Sequence, residues 1–268
     1  MALPQTEYLL LQHDGPFLHV TLNRPEARNA LSLGMASELM SVFDAIRDDE
    51  SIRALIIRGA GGHFCAGGDI KDMAGARAAL AAGDDDAMFR FNRSFGEMIT
   101  VCNELPQTVV TVIEGAALGG GFGLACVSDV AIAHADATFG LPETGLGVIP
   151  AQIAPFVVKR IGVTQARRLA LTGIRFKGHE ALRLGIVHEV AESSDELEQC
   201  IEKTLSAIKR CAPNANRVTK QLVLNVENTD MNDILDQAAH AFADATKSAE
   251  GQEGTMAFVQ KRLPNWAQ

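Results

Sequence analysis

Apolar positions recur along this chain with two different periods. FLHVTL at 17–22 reads as a strand, and NRPEARNALS after it reads as a loop around Pro25. Met35, Leu39, Val42, Phe43 and Ile46 then fall on one helical face. ALIIR at 54–58 is a second strand, closed by the turn GAGG at 59–62. TVVTVIE at 108–114 reads as a buried strand running into a glycine-rich segment, and DVAIA at 129–133 as a shorter one. Strands alternating with helices imply an α/β architecture. The Ala/Gly/Asp-rich stretch 74–87 supports either a weak helix or a loop. From about Ser193 the pattern is helical throughout, with helices predicted over 195–210, 213–226, 231–247 and 254–262. Pro213 suits a first helical turn. The change of pattern divides the chain into an α/β core, 1–192, and a helical C-terminal segment, 193–268.

Composition narrows the function. The 268 residues are 47% hydrophobic and 21% charged, which fits a folded chain and argues against disorder. With 24 basic and 33 acidic residues the net charge is −9, and no basic stripe runs along any element, so a nucleic-acid partner is disfavoured. An anionic ligand would need local donors. The N-terminal segment lacks the pattern of a signal peptide, and charged residues interrupt every apolar stretch before it reaches membrane-spanning length. Cysteines 65, 102, 126, 200 and 211 are odd in number and widely spaced, without C-x-x-C or zinc spacing. They read as small apolar residues in a reducing cytoplasm, with no metal and no membrane partner expected.

The sequence holds no G-x-S-x-G, H-E-x-x-H or G-x-x-x-x-G-K-[ST] motif. His188 beside Glu189 reads as a strand-end pair. The run Gly119-Gly120-Gly121-Phe122-Gly123 follows a strand and opens a helix, but its spacing is wrong for a dinucleotide fingerprint. A second strand ends in GAGGHFCAGGDIKDM, where Gly67 and Gly68 precede a helix start. Two strand-ending loops, each able to aim a backbone N–H at one point, suggest an oxyanion hole for a carbonyl oxygen.

HFCAGGDIKDM, EGAALGGGFGLACVSDVAIA and FGLPETGLGVIP resemble, in order, three motifs of the crotonase (enoyl-CoA hydratase/isomerase) superfamily. NRPEARNAL resembles its first CoA-facing loop, and RLALTG, ALRLGIVHEV and AFVQKR extend the similarity to the C-terminus. The resemblance implies a spiral of ββα units with a helical C-terminal trimerisation segment, acting on an acyl-CoA thioester without a separate cofactor, as a homotrimer or dimer of trimers. It implies that the amides of Gly68 and Gly120 bind the thioester oxygen and that Glu143 transfers the proton. Ala27, Arg28, Ala66, Asp69, Ile70 and Lys71 would lie along CoA. Phe258 and Lys261 would touch its adenine end, often from a neighbouring subunit. Hydratases of this family carry a second glutamate three positions after the oxyanion glycine. Here that position is Gly123, which is expected to leave a gap.

GGGFGLACVSDVAIA, LPETGLGVIPAQIAPFVVKRIG, RCAPNANRVTK and FVQKRLPNWAQ are most similar to the isohexenylglutaconyl-CoA hydratases of acyclic-terpenoid breakdown. That resemblance implies a hydro-lyase adding water across a conjugated double bond through a stabilised enolate. Arg90, Arg93 and Lys71 are the candidates for a distal substrate carboxylate. Double-bond isomerisation by a single glutamate, an acyl-CoA lyase or hydrolase variant, and a non-catalytic acyl-CoA binder stay open beside it.

Overall fold

The central strands of the main sheet are apolar on both sides, and both of their faces are covered. The computed structural model describes residues 3–268. In chain order the elements are β1 (Leu9–Asp14), β2 (Phe17–Leu22), α1 (Leu33–Ile46), β3 (Ala54–Gly59), α2 (Ile70–Ala81), α3 (Ala87–Glu104), β4 (Thr108–Ile113), β5 (Ala116–Leu118), α4 (Gly120–Val127), β6 (Val130–His134) and β7 (Thr138–Gly140). α5 (Ala154–Thr172), β8 (Phe176–Lys177), α6 (Gly178–Arg183) and β9 (Glu189–Ala191) complete the core. α7 (Ser194–Arg210), α8 (Pro213–Asn225), α9 (Met231–Lys247) and α10 (Ala249–Val259) follow.

The large sheet has the order β1-β2-β3-β4-β6-β9, antiparallel only between β1 and β2. A small sheet, β5-β7-β8, lies beside it. Two successive turns of the chain each place one strand in the large sheet, one in the small sheet and then a helix. β4, β5 and α4 form one such unit and β6, β7 and α5 the next, with β4 parallel to β6 and β5 parallel to β7. This repeat is the spiral of the crotonase fold.

Strand alternation sorts the core. Leu55, Ile57, Val109 and Ile113 join a cluster with Met35, Leu39, Val42, Phe43 and Ile46 of α1, the face that the helical spacing predicts. Ala54, Ile56, Val110 and Val112 point the other way and pack with Leu197, Ile201 and Ile208 of α7. The first C-terminal helix therefore covers one face of the sheet. Ser32 caps α1 by accepting from the Met35 N–H at 3.1 Å, and Ser193 caps α7 through the Glu196 N–H at 3.2 Å.

The structure resolves, shifts or adds to the expected elements at several points. The stretch 74–87 is the end of α2, a turn at Gly83 with φ of 99°, and the start of α3. α2 buries none of its residues, so it carries no apolar stripe to read. The last helix spans 249–259 rather than 254–262, because Ser248 ends α9 and caps α10 by accepting from the Gly251 N–H. The chain then turns at Lys261, whose φ is 51°. β1 is an additional edge strand. His188 is a structural clamp: the Ala131 N–H donates to its Nδ1 at 2.9 Å, and its own N–H donates to the Ala131 carbonyl at 2.8 Å.

Candidate active site

Three loops from different parts of the spiral meet at one cavity of about 550 Å³. The first runs through Cys65–Asp69 and is held on both sides. Cys65 pairs with the small-sheet strand, its N–H donating to the Ala116 carbonyl at 2.7 Å and its carbonyl accepting from the Leu118 N–H at 2.9 Å. Three residues on, Leu31 bridges the loop on the other side: its N–H donates to the Gly67 carbonyl at 2.8 Å, and its carbonyl accepts from the Asp69 N–H at 2.9 Å. In a parallel bridge of this kind the residue between the two bonds turns its own N–H to the opposite edge. That residue is Gly68, and the opposite edge carries the second loop, Leu118–Gly120.

The loops are in contact there. A Cβ at Gly119 would stand 3.5 Å from the Gly67 Cα, and one at Gly67 would stand 3.4 Å from the Leu118 carbonyl. Gly119 has φ of 50° and Gly67 φ of 108°, values that glycine adopts readily. α4 starts at Gly120, so that amide belongs to the first helical turn and has no intrahelical acceptor. Both Gly68 and Gly120 line the cavity.

Glu143 arrives on the third loop, at the start of a short 3-10 turn over Glu143–Leu146. Its Oε1 lies 2.8 Å from where a Gly119 Cβ would be, so a side chain at 119 would displace the carboxylate. Its Oε2 is buried without a hydrogen-bond partner. Burial, only partly offset by its own backbone N–H, pushes the Glu143 carboxyl above its ordinary value. A desolvated carboxyl with one free oxygen beside two glycine loops has the makings of an acid/base group.

The position three residues after Gly120 is not a gap. A Cβ at Gly123 would overlap Cγ2 of Ile153 and lie 3.0 Å from Cδ1 of Ile99. The expected vacancy is filled by a hydrocarbon side chain from the segment leading into α5, so the missing carboxylate frees no room at that point.

The structure places the remaining expected residues in three groups. Ala66, Asp69 and Ile70 line the cavity, Ile70 at 67% exposure on its rim. Asp69 is already engaged: Nη2 of Arg24 lies 2.7 Å from its Oδ2, and its Oδ1 caps α2 by accepting from the Lys71 N–H at 2.7 Å. Burial raises the Asp69 carboxyl, but the Arg24 bond and backbone amides outweigh it, so it stays below its ordinary value. Ala27 and Arg28 lie on the neighbouring loop, tied in where the Ala66 N–H donates to the Arg28 carbonyl at 3.0 Å. Buried Asn29, which sequence reading missed, braces that loop. Its Oδ1 accepts from the Arg24 N–H, and its Nδ2 donates to the carbonyls of Ala60 and His63. Phe258 and Lys261 do not line this cavity, and Phe258 stands 86% exposed on α10.

Among the described residues, the polar side chains of the cavity are Asp69, Asn92, Glu143 and Gln152. The rest of the wall is largely apolar, with Met73, Met88, Phe91, Phe95, Ile99, Val148 and Ile153. Asn92 and Gln152 were not legible as site residues. Of the candidates for a distal carboxylate, Arg90 pairs with Asp84, Lys71 lies on exposed α2, and Arg93 comes close to Gln152 over Gly96. No helix among the described residues is long and apolar enough to cross a membrane.

A family model described as enoyl-CoA hydratase/isomerase matches residues 14–268, and the chain belongs to that family. It is 31% identical over 260 residues to a short-chain-enoyl-CoA hydratase of Clostridium acetobutylicum, covering 95% of each chain. Among solved structures it resembles Pseudomonas aeruginosa AtuE, with a TM-score of 0.95, 61% identity, and coverage of 98% of this chain and 100% of the other. It likewise resembles an enoyl-CoA hydratase/isomerase from Marinobacter aquaeolei, with a TM-score of 0.93, 56% identity, and coverage of 97% and 99%. Family membership implies an acyl-CoA thioester as substrate.

Proposed function

We propose that this chain is a hydratase of the isohexenylglutaconyl-CoA type. The N–H groups of Gly68 and Gly120 donate to the thioester oxygen and hold the negative charge that grows there as water adds to the conjugated double bond. Glu143 takes a proton from that water. The resulting hydroxide adds at the β-carbon, and the double-bond electrons move to the thioester oxygen as an enolate. Glu143 then returns the proton to the α-carbon. The elements of one water are gained, and the carboxylate ends as it began. The observation that carries this reading is the Glu143 carboxyl itself, desolvated, one oxygen unpartnered, beside the two glycine loops. The acyl group rests on the sequence similarity and on a cavity whose Met and Phe walls suit a branched hydrocarbon.

A single carboxylate also suits double-bond isomerisation, in which one base carries a proton between two carbons of the chain. Product mass separates the two: hydration adds one water and isomerisation adds nothing. Glu143→Gln keeps the side chain's shape and removes its titration. Turnover should fall by about 10²–10⁴-fold, while affinity for a saturated acyl-CoA changes little. Undiminished turnover in the variant would reject the assignment, and no turnover in the wild type on any enoyl-CoA would favour a binder. The proposal includes a homotrimer or dimer of trimers in which α10 of one copy brings Phe258 and Lys261 to the CoA of its neighbour. It places the enzyme in the cytoplasm.

A further inference from the structure

The Asn92–Gln152 pair occupies an otherwise apolar stretch of the cavity wall, and nothing in the proton-transfer chemistry uses it. Gln152 Nε2 donates to Asn92 Oδ1 at 2.8 Å, which leaves a second N–H on Gln152 and both N–H groups of Asn92 unspent. The fold makes room for this pair. Gly96 is buried inside α3, where glycine costs about 1 kcal/mol against alanine. A Cβ at that position would overlap Oε1 of Gln152 and lie 2.7 Å from its Cδ. The carboxamide thus lies directly on the helix backbone. Nη1 of Arg93 would stand 3.0 Å from the same Cβ, so the guanidinium lies close to the carboxamide oxygen, and Arg93 itself does not line the cavity. Among the described residues Arg93 forms no ion pair within the chain.

The geometry points to this pair as the specificity contact for a carboxylate carried by the acyl group, away from the thioester. Its spare donors are N–H groups, its surroundings are apolar enough to strengthen a hydrogen bond to an anion, and Arg93 supplies the matching charge. This deepens the hydratase reading and rests on it for the identity of the acyl chain. It ranks the three cations: Arg90 is spent on Asp84, Lys71 lies on exposed α2, and Arg93 acts through Gln152.

The test uses two matched pairs of thioesters that differ by one carboxyl group. The saturated pair, 3-methylglutaryl-CoA and isovaleryl-CoA, reads binding by calorimetry. The unsaturated pair, 3-methylglutaconyl-CoA and 3-methylcrotonyl-CoA, reads turnover. The wild type should favour the carboxylated member about tenfold or more, the scale of a hydrogen bond to a charged group. Gln152→Leu should bring that ratio near one, and Gln152→Glu should invert it through charge repulsion. Gly96→Ala removes no polar group and improves helix propensity, yet it should lower the ratio by displacing the carboxamide. A wild-type ratio near one, or a ratio that Gln152→Leu and Gly96→Ala leave unchanged, overturns the inference. The two readings fail separately. A chain that binds the carboxylated saturated thioester selectively but hydrates neither enoyl-CoA sinks the hydratase proposal alone. One that hydrates both with equal kcat/KM sinks the specificity contact alone.

Discussion

Glu143 shows how one residue's surroundings set both its chemistry and its cost. Burial raises its carboxyl above the ordinary value of 4.5, so the folded chain holds that proton more tightly than the unfolded chain does. Ionising it therefore opposes folding. The opposition is absent below pH 4.5, grows as pH rises through the folded value, and is complete above it. Glu143→Gln removes the ionisation altogether. The variant should be at least as stable as the wild type at neutral pH, with the difference shrinking as the pH falls toward the ordinary carboxylate value. Urea unfolding at a series of pH values checks this, and a variant less stable at neutral pH than in acid, relative to wild type, would contradict it. The expected site residues that the structure gathers here are all on or beside glycine loops, where a backbone N–H or a short side chain does the work. Asn92 and Gln152 escaped the sequence because they lie 60 positions apart and belong to no motif.

Element by element, the sequence was most legible where one face is buried and one is not. α1 and α7 bury a clean stripe and were read nearly to their ends. α2 buries nothing and left no pattern, and β5, β7 and β8 are two or three residues long, shorter than any period can mark. The small sheet that carries the second glycine loop was therefore invisible, although the loop itself was not. α4 is different again, buried on every side, with Gly121 and Gly123 packed against neighbours. A Cβ at Gly121 would lie 2.5 Å from the Cys65 carbonyl oxygen, and one at Gly123 would overlap Ile153. Gly123→Ala should therefore destabilise by about 1–3 kcal/mol, the scale of overpacking a core, even though alanine favours helix. Ile153→Ala in the same chain should recover part of that loss. Thermal or urea unfolding of the two single variants and the double reads the coupling, and strict additivity would mean that the two side chains do not compete for the same space.

For the whole molecule, the C-terminal helices leave apolar side chains uncovered in a single chain, among them Leu235 and Phe242 of α9 and Met256, Phe258 and Val259 of α10. The proposed assembly predicts that sedimentation will find trimers or hexamers, and that Phe242→Ser with Phe258→Ser will shift them toward monomers with loss of turnover. A wild type that sediments as a fully active monomer would reject it. The packing of Ile153 against Gly123 limits how this site can change. Two of the four glycine codons are one base change from a glutamate codon, so a second carboxylate can be genetically close. The protein cannot accept it in one step, because Ile153 already stands in its place, and the change would cost the fold before it could serve the chemistry. Removing Ile153 first would open a void in the wall that supports the neighbouring Gln152. Each half of that exchange is harmful alone, so selection acting on single changes opposes the route to a two-glutamate site.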